Sequence, residues 1–180
     1  MEVFAVAQII GTFGYIIYIV SSRFEKRSYI LVTEAVGCII IAFHWYLLGE
    51  MITVFTNLIT LYSAILGVLI VRFSQVSFIQ VLAYPMLCIA AYFSFDGSVA
   101  FYIAVIASST LLTAKLFKNI QSLRAISLAA SILWTIYGLL VMSLPATLFG
   151  LFFSLGHASK LWQSLAKKNN MTTYAAKAAI

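Results

Sequence analysis

Charge is scarce in this chain: of its 180 residues, 9% are Asp, Glu, Lys or Arg, and only five are acidic. A soluble domain carries about a quarter of its residues as charges to present a surface to water. A water-soluble globular fold is therefore excluded. Cysteine is equally sparse. Cys38 and Cys88 stand at no redox or zinc spacing, which excludes a disulfide framework and a thiol-oxidase site. The two histidines, His44 and His157, form no H-E-x-x-H arrangement. With no thiolate or carboxylate cluster either, no metal and no cofactor are expected. Ser, His and acid are not assembled at catalytic spacing, so no catalytic residue is assigned and an enzyme is not expected.

What is present is apolar. Hydrophobic residues make up 63% of the chain and fall into seven stretches, roughly 2–22, 28–48, 51–71, 76–94, 98–116, 121–142 and 145–166. Each matches the ~30 Å hydrocarbon core of a bilayer when helical. They are about twice the length of a barrel strand, and each must satisfy its own backbone in lipid, so the spans are predicted to be helices. The expected fold class is an all-α polytopic membrane protein with seven transmembrane helices. Met1-Glu2-Val3 supplies no positive n-region, so the first stretch is expected to be a retained span rather than a signal peptide.

The basic residues mark orientation. They group as Arg23, Lys26 and Arg27; Arg72; Lys115, Lys118 and Arg124; and Lys160, Lys167, Lys168 and Lys177, while the alternate gaps carry only Glu2, Glu50 and Asp96. By the positive-inside rule the N-terminus is outside and the C-terminus cytoplasmic. The net charge of +6 thus reflects topology and contact with anionic lipid, not nucleic acid.

An internal duplication accompanies this pattern. His44-Trp45-Tyr46-Leu47-Leu48-Gly49 parallels Leu133-Trp134-Thr135-Ile136-Tyr137-Gly138, the two tryptophans lying 89 positions apart (134 − 45). The chain then divides into a three-helix repeat (1–72), a linker helix (73–96), a second repeat (97–166) and a cytoplasmic tail (167–180). A single linker crossing makes the repeats parallel, a 3+1+3 arrangement.

Ser131-x-x-Trp134-x-x-Tyr137-Gly138, followed by another glycine-bearing helix, resembles the sixth and seventh helices of SWEET and PQ-loop transporters. Ala7-Gln8-Ile9-Ile10-Gly11, the basic first loop, Leu47-Leu48-Gly49 and Asn57 resemble the YgjV-type bacterial inner-membrane family over nearly the whole chain. The resemblance implies an inner (plasma) membrane carrier that alternates access around a polar cavity at the midplane. SWEET-type repeats carry a Pro-Asn pair in their third helices. Here Asn57 follows Thr56, and the matching Phe149-Gly150 has no asparagine, which puts a sugar substrate in doubt.

Polar side chains inside a span are expected at cavities or polar interfaces. Gln8, Thr12, Tyr15 and Ser22 form one stripe on span one, and Thr53, Thr56, Asn57 and Thr60 form another on span three. Tyr102, Ser109 and Thr113 are polar on span five, and Ser154 and His157 on span seven. The expected substrate-binding residues are Gln8, Thr12, Tyr15, Thr53, Asn57, Ser109, Trp134, Tyr137 and His157. Glu34 is the one acid within a span, and Lys160 lies at comparable depth. The two are candidates for an ion-paired inner gate, against the alternative that each reaches the headgroups separately. The expected partners are a small-molecule solute and membrane lipid, and a homo-oligomer is compatible with the sequence. The competing reading is a non-transporting membrane subunit that binds a partner. A retinal protein fails because span three holds no acidic counter-ion and Lys160 is off-centre.

Overall fold

The computed structural model describes the backbone of residues 2–72 and 77–178 and the side chains of residues 4–70 and 79–166. Glu2, Arg72, Lys167, Lys168 and Lys177, as side chains that mark topology, lie outside the described set, as does the start of the expected linker at 73–76. The described secondary structure is entirely helical: α1 (Glu2–Ser21), α2 (Arg27–Leu48), α3 (Met51–Arg72), α4 (Ser77–Gln80), α5 (Ala83–Phe93), α6 (Val99–Leu116), α7 (Ile120–Leu140) and α8 (Leu144–Ala178). Helices α1, α2, α3, α6 and α7 each contain a stretch long and apolar enough to cross a membrane.

The helix ends follow local chemistry. Gly49 takes φ 81° and its N–H caps the end of α2, a left-handed conformation that a side chain would penalise. The Ser98 hydroxyl accepts from the Phe101 N–H at the start of α6, and Asn119 accepts from Gln121 at the start of α7, the usual service of such residues to unpaired first-turn amides.

One expected span is corrected. Residues 76–94 do not form a single helix: α4 ends at Gln80 and α5 begins at Ala83. Pro85 accounts for the break, because it lacks the N–H that would bond to the carbonyl of Val81 and its ring crowds that carbonyl. The 11 residues of α5 reach only about 16 Å, well short of a bilayer. At the other end of the chain, the seventh span and the tail expected beyond 166 form one continuous helix, α8.

The helices pack in two groups. α2 lies between α1 and α3, and α7 lies between α6 and α8; the groups meet through α1 against α8 and α3 against α6, while α5 rests on α3 and α6. Small residues bring neighbours close. A methyl group at Gly138 would stand 2.6 Å from the Thr147 amide nitrogen, so α7 and α8 approach backbone to backbone, as membrane helices do where lipid offers no hydrophobic drive to associate. The core between the groups is aromatic, with Tyr15, Tyr18, Trp45, Tyr137, Phe149 and Phe153 all buried. Large apolar side chains such as Phe13, Ile39, Phe43, Ile106 and Phe152 are exposed on the outside, the surface a bilayer would cover.

Candidate functional site: a cavity between the helix groups

A cavity lies where the two groups face each other. The α3 wall is Thr53, Thr56, Asn57 and Thr60; the α8 wall is Ala146, Phe149 and Phe153. Tyr15 and Tyr18 of α1 and Trp45 of α2 complete one side, and Ser131 and Trp134 of α7 the other. The spacing of the α3 residues explains their convergence, since positions three and four apart share one face of a helix.

The polar wall is mostly satisfied within itself. Thr56 Oγ1 donates to the Thr53 carbonyl (3.1 Å), Thr60 Oγ1 to the Thr56 carbonyl (2.7 Å) and Asn57 Nδ2 to the Thr53 carbonyl (2.8 Å). The opposite wall is a run of rings: Tyr15 stacks on Phe149 at 4.8 Å and 27°, and Phe149 on Phe153 at 5.3 Å and 26°.

Contacts between the helix groups flank the cavity at two ends. At one end Thr53 Oγ1 and the Tyr137 hydroxyl are hydrogen-bonded at 2.9 Å, with Tyr137 edge-on to Trp45 and Trp134. At the other end Lys115 of α6 is ion-paired with Glu34 of α2, both side chains 1% exposed. Beside them the buried Arg27 guanidinium donates to the carbonyls of Gly67, of Lys115 (2.7 Å) and of Phe117 (3.1 Å). Arg124 of α7 donates to the Phe24 carbonyl (2.6 Å) in the first loop. The basic first and fifth loops therefore sit side by side.

The expected site residues divide accordingly. Tyr15, Thr53, Asn57 and Trp134 line the cavity, and Tyr137 flanks it. Others lie elsewhere. Thr12 is exposed on the outer face of α1 and bonds its own helix at the Gln8 carbonyl; Gln8 is half-buried, off the cavity. Ser109 donates to the Val105 carbonyl, and Thr113 bonds Tyr84 of α5 at 2.7 Å. That stripe of α6 faces α5, and its neighbour Ser108 is the buried one. His157 is fully buried below the cavity, edge-on to Phe153 at 4.4 Å, with no partner for either ring nitrogen among the described residues.

The expected Glu34–Lys160 pair is also corrected. Lys160 stands 3.7 Å from Glu25, whose side chain is 85% exposed, and Glu34 takes Lys115 instead. The physical reason is depth: a carboxylate this buried requires a counter-charge in contact, and Lys160 sits at the partly exposed rim. Lys115 had the look of a loop marker because it is in the last turn of its helix. An acid within a span was the signal to search the adjacent helix ends for its partner.

Residues 5–167 match the model of the family Imp-YgjV, described as a bacterial inner membrane protein. No curated protein and no solved structure matches the chain.

Proposed function

The chain belongs to the Imp-YgjV family of bacterial inner membrane proteins, and on that premise we propose that it is a multi-pass carrier of small solutes, exposing its central cavity to each side of the membrane in turn. The observation that carries this is the placement of the contacts flanking the cavity: the Thr53–Tyr137 hydrogen bond, the Glu34–Lys115 ion pair and the Arg27–Lys115 and Arg124–Phe24 bonds all join the α1–α3 half to the α6–α8 group. Rocking one group on the other opens one end while the opposite end stays shut, the motion of duplicated carriers. In this reading the groups are parallel repeats, and the linker crosses the membrane as the broken segment α4–turn–α5 rather than as one continuous helix. The pairing of α1 with α8 and of α3 with α6 fits it, because a two-fold exchange of repeats turns one contact into the other. The basic loops face the cytoplasm, so Glu34–Lys115 forms the inner gate and Thr53–Tyr137 the outer one. No catalytic step is part of this function.

Sided labelling tests it. In a Cys38→Ala, Cys88→Ser background, Asn57→Cys should react with an impermeant thiol reagent from the outer side. Adding Glu34→Gln with Lys115→Met should let the same position react from the cytoplasmic side. Labelling from one side only, whatever the state of the Glu34–Lys115 pair, would reject alternating access.

A further inference from the structure

The two principal walls of the cavity occupy equivalent positions in the two helix groups yet carry opposite chemistry. Thr53, Thr56, Asn57 and Thr60 of α3 correspond at a constant offset of 93 to Ala146, Phe149, Gly150 and Phe153 of α8 (146 − 53, 149 − 56, 150 − 57, 153 − 60). All the cavity-lining residues of α3 bear a hydroxyl or a carboxamide, and all those of α8 are apolar. A ligand between them meets hydrogen-bonding groups on one side and ring faces on the other.

Three further observations narrow the ligand. First, no Asp, Glu, Lys, Arg or His lines the cavity. Of the charges beneath it, Glu34 is paired with Lys115, while Arg27 and Arg124 donate to backbone carbonyls, and none of the four reaches the cavity lining. A charged or zwitterionic solute would enter without a counter-ion in contact, which a low-dielectric site disfavours. Second, size is limited. The centre of a water molecule can range over about 40 Å³ of the cavity. At about 10–15 Å³ per water on that measure, it holds roughly three, or about 90 Å³ of liquid, the bulk of one small ring.

Third, Asn57 has spare capacity of both kinds on the α3 wall. Its Nδ2 gives one hydrogen to the Thr53 carbonyl. The second hydrogen and both lone pairs of Oδ1 have no partner among the described residues. A carboxamide presents donor and acceptor side by side, the complement of an amide or lactam edge. Opposite it, the Tyr15, Phe149 and Phe153 rings make a stack that suits a flat solute.

We propose that the cavity binds a small, uncharged, planar solute of single-ring size, whose amide-like edge pairs with Asn57 and whose face lies on the Phe149–Phe153 stack. This rests on the cavity being the carrier's solute site.

The test uses matched probes on the purified full-length protein in detergent, read by thermal melting. Uracil is paired with its carboxylated relative orotate, nicotinamide with nicotinate, and cyclohexanecarboxamide serves as an amide without a flat ring. At least one of uracil and nicotinamide should raise the melting temperature at millimolar concentration. The charged members and the non-planar amide should leave it unchanged. Asn57→Leu should weaken the responding probe tenfold or more, and Phe149→Leu at least fivefold. Equal stabilisation by a charged member or by cyclohexanecarboxamide would overturn the ligand class. So would a response indifferent to both substitutions, or no response to any probe. The comparison of charged with neutral probes is made on the unmodified protein and needs no variant to fold. A failure of the carrier reading is distinguishable from these outcomes, because it leaves probe binding intact while Asn57→Cys stays accessible from one side only.

Discussion

At the basic-loop end of the cavity the two helix groups meet through a buried ion pair and two arginines bonded to backbone carbonyls; at the opposite end they meet through one neutral hydrogen bond and edge-on aromatic rings. These junctions differ in what parting them entails. Separating Glu34 from Lys115 leaves two uncompensated charges in a low-dielectric interior. Separating Thr53 from Tyr137 releases two hydroxyls, of which Thr53 lies against a cavity with room for water. The basic-loop end is therefore the firmer junction between the groups, and the aromatic end the weaker one.

The largest effect should come from breaking the firm junction on one side only. Lys115→Met leaves Glu34 buried and unpaired, expected to destabilise by about 3–5 kcal/mol, seen as a collapse of the melting temperature in detergent. Adding Glu34→Gln should recover most of that loss, and absence of recovery would show that Lys115 acts by packing rather than charge. Next is Gly138→Leu, which forces a side chain against the backbone of α8 at Thr147. Overpacking of this kind should cost about 1–3 kcal/mol by the same thermal measurement, without altering which end of the cavity is open. Tyr137→Phe tests the weaker junction. Loss of one neutral hydrogen bond should cost only about 0.5–1.5 kcal/mol, yet it should raise the rate at which Asn57→Cys is labelled from the outer side. An unchanged rate would mean that the rings alone hold that end. The smallest effect is expected for Lys160→Gln, whose partner Glu25 is largely exposed. It should shift stability by less than about 1 kcal/mol and leave access at both ends as it was.

Much of this arrangement is legible in the sequence, for reasons that also set the limit. Length and hydropathy locate α1, α2, α3, α6 and α7 closely, because a bilayer leaves little freedom in what can cross it. The polar face of α3 reads directly from the spacing of Thr53, Thr56, Asn57 and Thr60. Periodicity identifies a face but not its neighbour. The stripe of Ser109 and Thr113 is real, yet it turns toward Tyr84 on α5. Thr12 shares a stripe with Tyr15 in the sequence, but in the fold Tyr15 is buried and Thr12 exposed. A three-residue step on a helix leaves two side chains about 60° apart, enough to carry one of them off a narrow buried face. The aromatic wall was missed because Phe149 and Phe153 look like any lipid-facing phenylalanine until α8 is packed against α1. The break at residues 81–82 is masked by the apolar residues that follow it as far as Phe93, among which Pro85 is the cue.

The ion pair joins residues 81 positions apart, and this separation has a consequence for how the protein is made. Elongation at about 5–20 residues per second delivers Lys115 roughly 4–16 s after Glu34. Through that interval the growing chain holds α1 to α3 with an acid in the apolar stretch of α2 and the later lysine still unmade. The first half is therefore an unfinished product in its own right, provisional until α6 arrives, and quality control in the membrane has a window in which to act on it.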